Sequence, residues 1–364
     1  MSGSAFPPRR LDIDSALDKA FAGERITFDE GLKLLEEASL LDLGQAADAV
    51  RARKHPDDVV TFVVDRNINY TNVCVANCTF CAFYRKPGDP EGYVHTMESL
   101  LQKIQETVDL GGTGILLQGG HNPELPFSFY EEMLRGFKAA FPQIHIHGFS
   151  PPEITFFGKL HKMPVGTVIA RLVEAGLDSI PGGGAEVLSD EVRKKMARGK
   201  ATVKEWLGVM REAHRQGLRT TATMMFGSIE TPRDILIHLQ HVRDLQDERG
   251  GFTAFIPWTF QPGESTPLQT ATATGVDYLR VLALSRIYLD NVDNLQSSWV
   301  TQGLKVGQVA LHFGANDMGS IMIEENVVAS AGCRNRTNEP ELRKLIRGAG
   351  FVPRKRRTLY EPAE

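Results

Sequence analysis

The spacing of apolar residues changes its period along this chain. Between residues 11 and 55 they recur at intervals of three and four, as in "SALDKAFAG" and "TFDEGLKLLEEASLLDLGQAADAVRARK". That spacing lines one face of a helix, and Thr27 followed by Glu30 predicts a capping box at a helix start. From residue 59 the pattern becomes an alternation. Short apolar runs predict strands at 59–64 ("VVTFVV"), 114–120, 144–150, 177–184, 219–227 and 252–260. Between them, amphipathic stretches predict helices at 97–112, 127–142, 164–176, 203–217, 231–251 and 277–290. Weaker units follow at 292–299, 303–314 and 316–322, and a last helix is predicted near 339–350.

Strands and helices in strict alternation mean parallel strands joined by right-handed crossovers. At least six such units predict an α/β fold, a (β/α) barrel, with an open doubly wound sheet as the alternative. The expected organisation is a helical extension over residues 1–55, the barrel over 56–338, and a C-terminal helix with a basic tail over 339–364. In either topology ligands gather beyond the carboxyl ends of the strands. The extension is expected at most to cap the opposite, closed end.

Composition narrows the class. The chain has 364 residues, 42% of them hydrophobic and 24% charged, with a net charge of −4. That balance predicts a globular protein and gives no basic stripe for nucleic acid. The run "PRKRR" (353–357) reads as a solvated tail. "MSGSAFPPRRLD" has no apolar core of a signal peptide, and no window of 18 uninterrupted apolar residues occurs. Hence no membrane span is expected and a cytoplasmic location is.

The candidate chemistry lies in "NYTNVCVANCTFCAFYRK" (69–86), directly after the first predicted strand. Cys74, Cys78 and Cys81 give a C-x₃-C-x₂-C spacing, while Cys333 stands far downstream. Clustered thiols without an export signal more often hold metal than form disulfides. A closed zinc site would want a fourth protein ligand. An electron-carrying cluster would want four thiolates. A nucleophilic cysteine needs one thiol and a base, and three unrelated buried thiols are the coincidental alternative. Three thiolates on a cubane iron–sulfur cluster would instead leave one iron open for a substrate or cofactor.

With Phe80 the motif becomes C-x₃-C-x-aromatic-C after the first strand of a β/α barrel. It resembles the radical S-adenosylmethionine (SAM) superfamily. The resemblance implies a [4Fe-4S] cluster on Cys74, Cys78 and Cys81 whose open iron is chelated by SAM. It implies reductive cleavage of SAM to a 5′-deoxyadenosyl radical, with a flavodoxin or ferredoxin as electron donor. Further SAM contacts carry over where residues match. "LLQGGHN" matches the family's Gly-Gly-Glu at Gly119 and Gly120, with Gln118 before them, but has His121 in place of the acid. "HGFSPPEI" offers Ser150 and Glu153, and "TMMFGSIE" offers Glu230. For both glutamates, capping of a helix start is the alternative.

"QGGHNPELPFSFYEEML", "SIPGGGAEVLSDEVR", "WTFQPGESTPL" and "GANDMGSIMIEENVVASAG" resemble the branch holding the menaquinone enzymes of the futalosine route and the deazaflavin synthases. "LLQGGHNPELPF" and "IPGGGAE" are most similar to its cyclases acting on dehypoxanthine futalosine. Aminofutalosine synthases and deazaflavin synthase subunits come next. A cyclisation of that kind implies hydrogen abstraction at the ribose 4′ carbon, addition to the carboxyphenyl ring, and loss of an electron and a proton. Residues at strand ends are the candidate substrate contacts: Asn69, Thr71, Ser179, Met225, Trp258, Gln261, Gln296 and Asn316. His121, with His147 or Asp317 behind it, is the candidate proton acceptor. "GGG" (182–184) lacks the Lys-Ser/Thr of a phosphate loop and reads as a tight turn near a ligand.

Overall fold

The computed structural model describes residues 13–264 and 266–363. Three helices come first: α1 (Ile13–Ala22), α2 (Phe28–Glu37) and α3 (Leu40–Lys54). The capping box at Thr27 and Glu30 forms as its spacing predicts. The expected beginning of the first helix, at residue 11, lies outside the described residues.

A parallel β/α succession follows. Its members are β1 (Val59–Val63), β2 (Asp65–Asn69), α4 (Met97–Asp109), β3 (Gly114–Gln118), α5 (Phe127–Ala140), β4 (His145–Gly148), α6 (Pro151–Leu160) and α7 (Val165–Ala175). Then come β5 (Ser179–Ile180), α8 (Asp190–Met196), α9 (Val203–Arg215), β6 (Arg219–Phe226), α10 (Pro232–Arg249), β7 (Phe252–Thr259), α11 (Gly275–Tyr288) and β8 (Asn294–Leu295). The chain ends with α12 (Trp299–Gln302), α13 (Leu304–Val309), β9 (Asp317–Ser320), α14 (Glu339–Gly348) and β10 (Val352–Lys355).

Strands β2 to β8 form one parallel sheet in sequence order, and β1 lies between β9 and β10 in a second. β9 links the two edges of the first sheet. Gln296, next to β8, bridges Asp317 of β9, and β9 pairs with β1, which runs on into β2. The seven-stranded sheet is thus a curled parallel half-barrel of the predicted α/β type, with one isolated bridge and the β1–β2 continuation carrying it round. The helices cover its outside, where apolar faces such as Leu100 and Ile104 of α4 or Trp206 and Met210 of α9 are fully buried.

Several expectations change in detail. The polar stretch "DRNIN" continues the first strand as β2, against its low strand propensity. Asp65 and Asn67 turn into the barrel lumen, while Arg66 points outward to Glu324 and Glu106, 2.7 Å from each. α6 and α8 are additional helices. β5 shrinks to two residues, because Pro181 and three glycines end the pairing.

The basic run at 353–357 is not a solvated tail. It enters β10, and Arg356 is buried against Asp317. Arg356, Thr358 and Tyr360 thereby line the closed end of the lumen. The N-terminal helices do not cap that end. They pack on the flank, α3 against α11, with Arg25 pairing to Asp247 and Asp290. Among the described residues no helix is long and apolar enough to cross a membrane.

Candidate active site

The cysteine loop sits at the carboxyl end of β2, and backbone hydrogen bonds fix its course. Cys74 N–H donates to Arg85 O (2.8 Å), Val75 N–H to His121 O (3.0 Å) and Thr79 N–H to Met196 O (3.0 Å). Gly120 permits this packing. A Cβ there would lie 2.2 Å from the Val73 carbonyl oxygen and 2.9 Å from Cys74 Cβ. Gly119 is equally confined, with the Tyr70 ring 2.4 Å from where its Cβ would be.

Cys78 is buried and Cys74 and Cys81 are half-buried; all three are free thiols. Burial pushes Cys78 up to about 12 and raises Cys74, with the Lys200 ammonium opposing the rise at both. A cationic iron centre would offset the burial that raises Cys74 and Cys78. Among the described residues no three His, Cys, Asp or Glu side chains converge closely enough for one metal ion. Three thiols on one loop are the donor set that a cluster with three protein ligands requires. Cys333 lies apart, donating to Val300 O at 3.1 Å.

Two charged residues beside this loop were not among the site candidates read from the sequence. Lys200 is half-buried, with Nζ 2.7 Å from Glu186 Oε1 and 5.1 Å from the centre of the Phe80 ring. Glu186 also faces Arg193 at 3.4 Å. Gly199 lets this segment press on the cysteine loop, since its Cβ would lie 2.2 Å from Ala76 O. Only the folded chain brings residues 186–200 to residues 74–81.

Below the loop the lumen holds a cavity of about 290 Å³. Inward side chains alternate along the strands: Asp65 and Asn67, Leu116 and Gln118, Thr221 and Thr223, Ile256 and Trp258. His147, Gly183, Gln296, Ser297, Trp299, Met322, Glu325, Arg356 and Tyr360 complete much of the wall. The wall thus joins flat aromatic and aliphatic surface to amide, hydroxyl and imidazole groups. Burial pushes Asp65 up to about 6, against a hydrogen bond from Ser320 and the Arg356 charge. It holds His147 down near 3, assisted by His145 and Arg356.

Of the candidates read from sequence, Gln118, His147, Trp258 and Gln296 line this cavity. The glycine turn also behaves as expected, with Gly183 on the wall beside Gln118. The others lie outside the cavity wall. Thr71 donates to Tyr93 O (2.6 Å), and Asn69 accepts from Asn326 (3.2 Å). Gln261 donates to Thr259 Oγ1 (2.9 Å), and Met225 is packed in the core. Asn316 accepts from Arg286 (2.6 Å) and from the Leu295 N–H (2.8 Å). Asp317 is taken up by Arg356, and Ser179 is buried between two histidines. His121 is buried against Phe156, its ring stacked at 4.8 Å, and burial holds it near 3.

Glu153 and Glu230 act inside the fold. Glu153 accepts from Tyr70 Oη (2.8 Å), Gly119 N–H (2.9 Å), Ser150 N–H (2.8 Å) and Ser150 Oγ (2.7 Å). It ties together the carboxyl ends of β2, β3 and β4. Glu230 accepts from the Gly227 and Ser228 N–H groups and from Ser228 Oγ, which closes the loop after β6. Each carboxylate has several of its lone pairs occupied by the chain itself.

The family model described as the radical SAM superfamily matches residues 68–242, and that of the CofH/MqnC C-terminal region matches residues 249–364. A cyclic dehypoxanthine futalosine synthase of Halalkalibacterium halodurans is 47% identical, covering 96% of this chain and 95% of its own. The synthase of the same name from Streptomyces coelicolor is 46% identical, covering 97% and 89%. A 5-amino-6-(D-ribitylamino)uracil–L-tyrosine 4-hydroxyphenyl transferase of Methanopyrus kandleri is 41% identical, covering 98% of each. Among solved structures, the FeFe-hydrogenase maturase HydG from Carboxydothermus hydrogenoformans superposes with a TM-score of 0.74 at 15% identity, covering 96% of this chain and 80% of its own. At that identity the likeness concerns the fold alone.

Proposed function

We propose, from the premise that the chain belongs to the radical SAM superfamily and to its CofH/MqnC branch, that it cyclises dehypoxanthine futalosine on the route to menaquinone. The family uses a [4Fe-4S] cluster and SAM, and this chain is a radical SAM enzyme. The observation that carries the reading is one of position. A loop of three thiols stands at the carboxyl end of the barrel, directly above a cavity of mixed apolar and polar character.

In this reading Cys74, Cys78 and Cys81 hold the cluster. When bound, cluster and SAM supply a 5′-deoxyadenosyl radical, which takes a hydrogen atom from the substrate ribose. The chain's own residues do the rest. Phe80 shields the cluster side of the loop. The backbone at Gln118, Gly119 and Gly120 is close-packed beneath Cys74 and is the proposed seat of the SAM ammonium, with Ser150, Glu153 and Glu230 holding the loops that surround it. Trp258 offers a flat face to the carboxyphenyl ring. Gln118 and Gln296 offer amide groups to the sugar and carboxylate. His147 is the polar group on the wall suited to receive a proton. Sequestration in the lumen keeps water and quenchers from the radical. The one-electron donor is a flavodoxin or ferredoxin.

The 41% identity to a 4-hydroxyphenyl transferase supports a second reading, a deazaflavin-type transferase on the same scaffold. Reconstitution with iron and sulfide under anaerobic conditions, then incubation with SAM, dithionite and dehypoxanthine futalosine, decides between them. The cyclase reading expects 5′-deoxyadenosine and a product two hydrogens lighter than the substrate, both lost in Cys74→Ala. 5′-Deoxyadenosine formed beside unchanged substrate would overturn it. Product from 5-amino-6-(D-ribitylamino)uracil and tyrosine would establish the second reading.

A further inference from the structure

At the amino-terminal half of the barrel two histidines meet one hydroxyl. His147 Nδ1 lies 2.6 Å from Ser179 Oγ, and His145 Nε2 lies 2.7 Å from the same oxygen. Residues 145 and 147 share one face of β4. Ser179 of β5 is the register partner of His147. The far nitrogen of His147, Nε2, is 3.4 Å from Thr221 Oγ1, and both residues line the central cavity. His145 does not line it. It lines a second cavity of about 270 Å³ with Thr113, Lys138, Asp178 and Glu361. Pro142, Gln143 and Glu361 on that wall are exposed, so this cavity opens to solvent. A file of hydrogen bonds therefore runs from the lumen to His145, on the wall of a cavity open to solvent at the end opposite the cysteine loop.

We propose that His147, Ser179 and His145 form the exit path for the proton released in the reaction. The proposal rests on the cyclase reading. After the ribose carbon radical adds to the ring, the adduct regains aromaticity by breaking the C–H bond at the junction. Of that bond pair and the unpaired electron, two electrons stay in the ring and one leaves to an oxidised iron–sulfur centre. The proton goes to His147 Nε2. The Nδ1 proton of His147 moves to Ser179 Oγ, the hydroxyl proton moves to His145 Nε2, and His145 Nδ1 releases a proton to water.

Chemistry and charge agree with that direction. A hydroxyl accepts from one ring and donates to the other, so both bonds reverse together. Burial, His145 and Arg356 all oppose a charge resting on His147. At the rim burial also opposes a charge on His145, but Asp178 and Glu361 favour one, against Lys138. The proton is thus driven away from the lumen.

The test uses the full chain with its cluster, SAM, dithionite and dehypoxanthine futalosine, comparing product with 5′-deoxyadenosine. Wild type is expected to form them in equal amounts. His145→Ala, remote from the cavity wall, is expected to keep 5′-deoxyadenosine formation while product per 5′-deoxyadenosine falls at least fivefold. Millimolar imidazole, entering the space left by the ring, is expected to restore the ratio. Ser179→Ala is expected to show the same deficit without rescue. An unchanged ratio in either variant, or a His145→Ala deficit that imidazole does not relieve, overturns the exit path. Nitrogen-15 NMR of the histidine rings gives a readout that needs no cofactor. The shared bond to Ser179 requires both rings to shift in Ser179→Ala, and rings that do not shift overturn the path. Wild-type enzyme that makes 5′-deoxyadenosine but no cyclised product overturns the cyclase reading itself, and the exit path with it.

Discussion

Arg356 and Asp317 are 39 residues apart in the chain and form a two-point ion pair at the closed end of the barrel, with Nε–Oδ2 at 2.5 Å and Nη2–Oδ1 at 2.9 Å. Both side chains are buried, and Asp317 also accepts from Thr61 of β1 and from the Gly319 N–H. The pair joins β9, β1 and the segment after β10. Arg356→Met leaves a buried carboxylate without its cation, at a cost of about 3–5 kcal/mol. Chemical denaturation is expected to show that loss. Arg356→Met combined with Asp317→Leu is expected to regain most of it. A single variant as stable as wild type would mean that the pair does not hold the floor of the lumen.

Gly120 decides whether the cysteine loop can seat. Its Cβ in Gly120→Ala would overlap the Val73 carbonyl, and backbone there has nowhere to move. Iron content after reconstitution is expected to fall several-fold. Gly208→Ala, where a Cβ meets nothing within 4 Å, is the control and is expected to load iron normally. Equal iron in both variants would dismiss the packing argument.

Lys200 places a half-buried positive charge beside the three thiols, and it opposes the burial that raises Cys74 and Cys78. A cation near a cluster favours the added electron. Lys200→Met combined with Glu186→Gln, which removes both charges of the pair, is expected to lower the cluster midpoint potential. Lys200→Arg is expected to retain it. Redox titration followed by electron paramagnetic resonance reads the shift. A potential equal to wild type would show that the cluster does not sense this residue.

Stability is expected to fall as the solution is acidified below neutrality. Burial first of all holds His121, His147 and His238 near 3, far below the unfolded value of about 6.5. Between those values the unfolded chain binds protons that the native chain refuses. The stabilisation is full above about 6.5 and is lost as pH drops toward 3, by about 1.4 kcal/mol per pH unit for each histidine. Asp65 works the other way between its unfolded value and about 6, because burial makes the native chain hold its proton. His238 Nδ1 accepts the Leu188 N–H at 3.0 Å, far from the proposed chemistry. His238→Gln is therefore expected to remove one histidine's share of the slope, read from denaturation at pH 4.5–6.5. An unchanged slope would mean that His238 is protonated in the native state.

By itself the sequence determined the β/α rhythm, the parallel barrel, the capping box at Thr27 and Glu30, and the three-thiol loop after the first strand. These features are local: a period of apolar residues, a cap four residues long, three cysteines within eight positions. Position near strand ends also marked His147, Trp258 and Gln296, which line the cavity; Gln118, read only as part of a backbone turn, lines it with its side chain as well. What it left undecided depends on partners far away in the chain. Thr71, Ser179, Asn316 and Asp317 carry the same functional groups as the cavity residues, but each is consumed by a neighbour from another element. Lys200 and Glu186 stand more than 100 positions from the cysteines they adjoin, and the basic end of the chain becomes the floor of the barrel only because Asp317 neutralises Arg356. A polar side chain's role is set by whichever donor or acceptor reaches it first in space, and that assignment exists only once the barrel has closed.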